Sequence, residues 1–175
     1  MKYFLYLLIV LSTIACGNSQ ENDQKENKES DLTTFYFLRH AEKQAGNDPE
    51  LNEKGEKRAE QWVEYFFLKD VDHVMSSDFK RTKATAAPLA QSKKLDVETY
   101  DVRSLDGDQL LEKYRGKTVV LFGHSNTIGT YANQLQNDEK FDDLNESDYD
   151  HFYMVTIDSN GNARAVKEET DFMEF

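Results

Sequence analysis

Residues 33–42 read Thr-Thr-Phe-Tyr-Phe-Leu-Arg-His-Ala-Glu, and this stretch decides the fold class. Its first six residues are β-branched, aromatic or aliphatic, which is the composition of a buried strand. A second stretch typical of a buried strand, residues 117–122, is followed by Gly-His-Ser at 123–125. Polar residues directly after buried strands indicate the sheet edge at which ligands bind in open α/β folds. We therefore expect His40 and His124 to lie near each other at that edge.

Helical and strand patterns alternate through the rest of the chain. They predict helices that open at Asn52 and span residues 81–93, 110–114 and 126–136, and further strands at residues 72–76, 96–100, 152–157 and 163–167. Such alternation is typical of a mostly parallel sheet that is covered by helices on both faces. The fold class that we predict is a three-layer α/β/α sandwich.

The amino-terminal segment has the pattern of an export signal. Lys2 precedes the apolar residues 3–11, a run too short to span a bilayer, and Ala15 precedes Cys16, the only cysteine. The segment resembles a bacterial lipoprotein signal, in which this cysteine becomes lipidated. It departs from that pattern at Thr13, where an aliphatic residue is usual. An ordinary signal peptide or an uncleaved anchor is the alternative.

The next residues, 17–31, include no large apolar side chain, so they cannot bury enough surface to offset their ordering entropy. We therefore predict a lipoprotein-type signal peptide over residues 1–15, a disordered tether over 16–31 and one folded domain over 32–175. Such a protein is exported and anchored to a bacterial membrane, on the periplasmic or cell-surface side. The formal net charge of −12 argues against nucleic acid as a partner, and the oligomeric state stays open.

Two arginines and two histidines indicate the chemistry of the predicted edge. Arginine suits a phosphoryl group because its planar fork binds two anionic oxygens at once, and Arg39 and Arg81 each come just after a predicted strand. A histidine can attack phosphorus and form a covalent phosphohistidine, while a second, cationic histidine can stabilise the equatorial oxygens. No His, Asp and Glu residues have convincing metal-ligand spacing, so we expect no metal and no cofactor.

These residues resemble the motifs of the histidine phosphatase superfamily, also called the phosphoglycerate mutase-like family. Residues 39–42 match its Arg-His-Gly-Glu-type signature, with alanine at the usual glycine. Residues 51–55, Leu-Asn-Glu-Lys-Gly, are similar to its Leu-Thr-x-x-Gly helix start, and residues 76–86 are similar to its second arginine motif. Residues 123–125 match its second histidine motif. The resemblance covers about residues 33–157 and implies a phosphoglycerate mutase-like fold.

The resemblance also implies roles for the residues. His40 is then the nucleophile, and Arg39, Arg81 and His124 form the phosphate pocket. The implied activity is that of an exported, metal-independent phosphomonoester hydrolase with a small phosphorylated substrate. Two alternatives stay open: a lipoprotein that binds a phosphorylated ligand without catalysis, and a phosphoglycerate mutase-type phosphotransferase.

The acid that protonates the leaving group is harder to identify from the sequence. Family members often use a carboxylate on a loop between the second arginine motif and the second histidine motif. Asp101 directly follows a predicted strand and is the favoured catalytic acid, with Asp106 the second choice. We expect Glu42 to orient its neighbours instead. His73 and His151 lack a comparable setting and are interpreted as structural.

Overall fold

The computed structural model describes residues 32–173, so the predicted signal peptide, Cys16 and the predicted tether lie outside the described residues. The elements in chain order are β1 (Thr33–Arg39), α1 (Glu53–Tyr65), β2 (His73–Ser77), α2 (Lys80–Lys93), β3 (Val97–Tyr100), α3 (Gly107–Tyr114), β4 (Thr118–Gly123), α4 (Ile128–Gln136), β5 (His151–Ile157) and β6 (Ala163–Glu169). Within this described part of the chain, no helix has the length and apolar character needed to cross a membrane.

The six strands form one sheet in the order β3-β2-β4-β1-β5-β6. Strands β1 to β4 pair in parallel, whereas β5 runs antiparallel to both of its neighbours. The predicted mostly parallel sheet is therefore confirmed. Because β2, β4 and β1 are adjacent, their carboxyl ends lie side by side, and Arg39 is directly opposite Gly123 in the register.

Alternating side chains of β1 supply both hydrophobic layers. Phe35 and Phe37 pack with residues of α3 and α4 on one face, and Tyr36 and Leu38 pack with residues of α1 and α2 on the other. This alternation follows from the period of two along a strand, and all four side chains are buried. The predicted three-layer α/β/α sandwich is thus confirmed.

Helix α1 opens as predicted, and its first turn lies against the segment that follows β1. The Asn52 side chain is the N-cap and accepts a hydrogen bond of 2.9 Å from the Gly55 amide. A Cβ atom on Gly55 would lie 2.0 Å from the backbone oxygen of Glu42. Only glycine fits there, so the motif at residues 51–55 sets the position of the chain just after His40.

Helix α3 begins earlier than the apolar pattern predicts, at Gly107 rather than Leu110. The reason is its N-cap, because the Asp106 carboxylate accepts a hydrogen bond of 2.9 Å from the Gln109 amide. One of the two carboxylates considered as the catalytic acid therefore caps a helix.

Candidate active site

The carboxyl ends of β1, β4 and β2 bring together four of the predicted site residues. Arg39 ends β1 and His40 follows it, His124 follows β4, and Arg81 lies in the first turn of α2, just beyond β2. The centres of the His40 and His124 imidazole rings are 5.5 Å apart, and Arg81 Nη2 is 3.3 Å from His124 Nδ1. Arg39, His40 and His124 are buried, and Arg81 is mostly buried.

His40 has the protonation state of a nucleophile. Its Nδ1 lies 2.8 Å from the carbonyl oxygen of Ala41, which can only accept, so Nδ1 carries the hydrogen and Nε2 keeps a free lone pair. Burial, with the charges of Arg39 and Arg81, lowers the pKa of His40 to about 3. The ring is therefore neutral at neutral pH and can attack through Nε2.

His124 is also neutral, and its tautomer follows from its partners. Arg81 can only donate, so His124 Nδ1 accepts from it, and Nε2–H donates to Ser77 Oγ at 2.9 Å. Ser77 Oγ in turn donates to Thr82 Oγ1 at 2.9 Å. Burial and the charges of Arg81 and Arg39 lower the pKa of His124 to about 4. The cationic second histidine expected from the sequence is thus disfavoured before an anion binds.

Arg39 organises the loop between α4 and β5. Its Nη1 donates to the backbone oxygens of Asn145, Glu146 and Asp148, at 3.1, 2.9 and 3.0 Å respectively. The guanidinium carbon lies 4.1 Å from the centre of the Tyr149 ring. Nη1 of Arg39 therefore binds the loop between α4 and β5 and holds this loop over the histidines.

The arginines still have buried donors without a partner. Among residues 32–173, the Nε atoms of Arg39 and Arg81 are buried and make no hydrogen bond. An unpaired buried donor is unfavourable, and an anionic oxygen is the acceptor that suits a guanidinium. Two such donors beside two neutral histidines are the chemistry of an anion-binding site that also contains a nucleophile.

Arg58 fixes the orientation of the Glu42 carboxylate. Its two carboxylate oxygens accept from Arg58 Nη2 at 3.0 Å and from Arg58 Nε at 2.9 Å, and Arg58 Nη1 donates to Asp150 at 2.9 Å. Burial raises the pKa of Glu42, but the hydrogen bonds and charge of Arg58 lower it by more. Arg58 also binds the backbone oxygen of Tyr149 at 3.1 Å, so this network supports the ring above Arg39.

Arg58 is a site residue that the motifs do not reveal. One signal was available, because Arg58 lies on the buried face of α1 with Gly55, Ala59 and Trp62. A charged residue on the apolar face of a helix needs a buried partner. The carboxylate that follows the Arg-His pair is that partner.

Asp101, the favoured catalytic acid, lies beside this cluster without contacting the histidines. Its side chain is 60% exposed, and its carboxylate accepts from the Arg103 amide at 3.0 Å. It lines a surface groove with Phe79. The centre of the Phe79 ring lies 4.9 Å from the centre of the His124 ring. Within the described chain, no hydrogen bond joins Asp101 to His40 or His124. Its catalytic role stays a prediction.

Glu146 is a carboxylate at the site that the sequence does not single out. Its Oε2 accepts from Arg39 Nη2 at 2.9 Å, and its Oε1 accepts a short hydrogen bond from Ser125 Oγ. That bond, with the charge of Arg39, lowers the pKa of Glu146. The residue comes after the second histidine motif, outside the region in which family members often carry their acid. The contacts of Arg39 and Ser125 bring it here.

The remaining histidines lie outside the cluster, in keeping with structural roles. His73 Nδ1 pairs with Glu98 at 2.6 Å, and His151 Nδ1 pairs with Asp148 at 2.9 Å. Within residues 32–173, no three or more His, Cys, Asp and Glu residues are grouped so that they could hold a metal ion.

One family model and several solved structures are similar to this chain. The family model described as "Histidine phosphatase superfamily (branch 1)" matches residues 35–102. No curated protein matches the chain. A solved structure of the protein histidine phosphatase SixA, complexed with tungstate, is similar with a TM-score of 0.59 and 16% identity, covering 78% of this chain and 96% of that one.

Two further solved structures have the same fold. Mycobacterial glucosyl-3-phosphoglycerate phosphatase matches with a TM-score of 0.60 and 14% identity, over 79% of this chain and 98% of its own. Phosphoserine phosphatase from Entamoeba histolytica, in complex with 3-phosphoglyceric acid, matches with a TM-score of 0.59 and 17% identity, over 79% and 98%. At such identities the likeness shows the fold.

Proposed function

We propose that this chain, which belongs to the histidine phosphatase superfamily, hydrolyses a small phosphomonoester through a phosphohistidine on His40. One observation supports this above all others. A neutral imidazole with a free Nε2 lies beside two guanidinium groups that each have an unpaired buried donor. An anionic phosphoryl group would satisfy those donors and present its phosphorus atom to Nε2.

The reaction then has two displacements. In the first, His40 Nε2 forms a bond to phosphorus while the bond to the leaving oxygen breaks, and that oxygen takes a proton. In the second, water attacks the phosphohistidine, the bond between nitrogen and phosphorus breaks, and inorganic phosphate leaves. Arg39, Arg81 and His124 stabilise the equatorial oxygens in both steps, which is usually the largest catalytic contribution.

We also propose that the reaction needs no metal ion. The two guanidinium groups supply the positive charge with which a metal would stabilise the phosphoryl oxygens. Full activity in the presence of a chelator is the expected result.

The direct test is hydrolysis of 4-nitrophenyl phosphate by the full-length protein and by His40→Asn. The variant should lose turnover and keep the wild-type circular dichroism spectrum, because asparagine cannot carry the phosphoryl group. His73→Asn is the matched control, since His73 pairs with Glu98 away from the site, and it should retain activity.

Other outcomes would identify the alternatives. More than a few per cent of the wild-type rate in His40→Asn would refute the covalent route. A wild-type protein that binds phosphate without turnover would be a binding lipoprotein. Transfer of the phosphoryl group to a second phosphorylated compound, rather than to water, would indicate a mutase.

For the location, we propose an exported protein that is anchored through a lipid on Cys16. The proposal rests on the sequence pattern around Lys2, Ala15 and Cys16. A single acyl chain binds a membrane only weakly, whereas a diacylated cysteine would anchor the domain firmly. Mass spectrometry of the native amino terminus tests this, and an unmodified Cys16 or a chain that starts beyond it would refute the anchor.

A further inference from the structure

We propose that Glu146 is the general acid and base of the reaction, which is an inference that rests on the proposed phosphatase function. The proton donor is the one role that the histidines and arginines do not supply. Glu146 belongs to neither histidine motif, and its place at the site comes from the contacts of Arg39 and Ser125.

The position of Glu146 matches the path of the leaving group. An in-line displacement requires the leaving oxygen to depart on the side of phosphorus opposite the nucleophile. His40 is 3% exposed, so it forms the floor of the site, and the leaving group must depart toward solvent. The Glu146 side chain is 78% exposed and contacts Arg39 from that outer side.

Other nearby carboxylates have their partners outside the second histidine motif. Glu42 is buried, and its two carboxylate oxygens accept from Nε and Nη2 of Arg58. Asp48 accepts from the Lys80 amide at 3.0 Å and lies 3.6 Å from Arg81 Nη1, and Asp101 accepts from a backbone amide of its own loop. Among the described residues, Glu146 alone hydrogen-bonds both to a pocket arginine and to a residue of the second histidine motif.

The proton balance closes over the two steps. Glu146 is ionised at rest, because Ser125 and the charge of Arg39 lower its pKa. A substrate that binds as a monoanion brings one proton, which passes to Glu146 once Arg39 binds the phosphoryl oxygens instead of the carboxylate. Glu146 then gives this proton to the leaving oxygen. In the second step the carboxylate takes a proton from the attacking water, and that proton leaves with phosphate.

A rival interpretation is that Glu146 is only a resident anion that competes with phosphate for Arg39. The two roles differ in their dependence on the leaving group. A general acid matters for an alkyl phosphate, whose leaving alkoxide is strongly basic, and matters little for 4-nitrophenyl phosphate, whose leaving phenolate is stable without a proton. If Glu146 only competes with phosphate for Arg39, its loss would strengthen the binding of both substrates equally.

The experiment compares kcat/KM of the full-length protein and its variants on these two substrates, because kcat/KM reports the step that forms the phosphohistidine. Glu146→Gln should lower kcat/KM for the alkyl phosphate by about 10²- to 10⁴-fold and change the value for 4-nitrophenyl phosphate far less. Glu139→Gln is the matched control, since Glu139 is exposed on the same loop, and it should behave as wild type on both.

Where the wild-type protein is active, three results would overturn the inference. An equal loss on both substrates would make Glu146 a positioning residue for Arg39. Unchanged kcat with tighter inhibition by phosphate would support the resident anion. A leaving-group-dependent loss in Asp101→Asn, absent from Glu146→Gln, would return the role to Asp101. If the wild-type protein hydrolyses neither substrate, the proposed function fails, and the inference fails with it.

Discussion

At the scale of residues, burial determines what each ionisable group of the site can do. His40 and His124 are neutral because desolvation and two neighbouring guanidinium groups disfavour a further positive charge. Arg39 and Arg81 differ although we propose both as ligands of the phosphoryl group. Arg39 is bonded to backbone oxygens of the loop after α4, whereas the Arg81 guanidinium contacts the side chains of His124, Phe79 and Asp48. Substitution of Arg81 should therefore test anion binding with less effect on the fold than substitution of Arg39.

Arg81→Ala should weaken inhibition by phosphate or vanadate by roughly tenfold to hundredfold, because it removes charge-assisted hydrogen bonds to the bound oxygens. Turnover should fall as well. The measurement is the inhibition constant of each anion. Lys80→Ala removes the same charge one residue earlier, from a side chain that pairs with Glu50 at 3.1 Å, and should have little effect. Equal inhibition of wild type and Arg81→Ala would place the anion elsewhere.

At the scale of elements, local sequence patterns predict the strands and helices but not the contacts between distant residues. Each strand and helix has its own hydrophobic period, so the element order and the histidines at strand ends follow from the sequence. The Glu146 contact does not follow from it, because Glu146 is 107 residues from Arg39 in the chain and its loop has no regular pattern. The pairing of Glu42 with Arg58 is likewise set by packing of α1 onto the sheet edge. Long-range hydrogen bonds have no periodic signature.

The packing of α1 gives a prediction for Gly55→Ala. The new methyl group would lie 2.0 Å from the Glu42 carbonyl oxygen, which is backbone and cannot turn aside. Overpacking of this kind typically costs about 1–3 kcal/mol, and the shift should also displace the segment after His40 and lower activity. Urea unfolding and turnover measure the two effects.

The matched control for this substitution is Glu60→Ala. It introduces alanine at an exposed position of the same helix, where no clash is expected. Wild-type stability and activity in Gly55→Ala would show that α1 does not set the position of this segment.

At the scale of the whole molecule, the buried neutral histidines link stability to pH. Their pKa values fall from 6.5 in the unfolded chain to about 3 and about 4 in the fold. Between about pH 5 and pH 6.5 the unfolded state therefore binds more protons, so the free energy of unfolding rises with pH. Glu42, a carboxylate whose pKa is lowered, changes the pH dependence of the free energy of unfolding only below its ordinary pKa of 4.5.

His124→Asn should flatten this dependence. Each neutral histidine contributes up to about 1.4 kcal/mol per pH unit in that window, and the variant lacks one of the two. The measurement is urea unfolding at several pH values, in buffers without phosphate, since a bound anion would stabilise the fold. Parallel stability curves for wild type and variant would contradict a neutral His124 in the folded protein.

The covalent intermediate on His40 is the most direct test of the proposed mechanism. Full-length protein is mixed with 4-nitrophenyl phosphate, quenched in alkali within the first turnover, and mapped by mass spectrometry. We predict one phosphoryl group on His40, stable in alkali and lost in acid, and absent from His40→Asn. A phosphoryl group on another residue, or turnover without any trapped phosphohistidine, would contradict the mechanism.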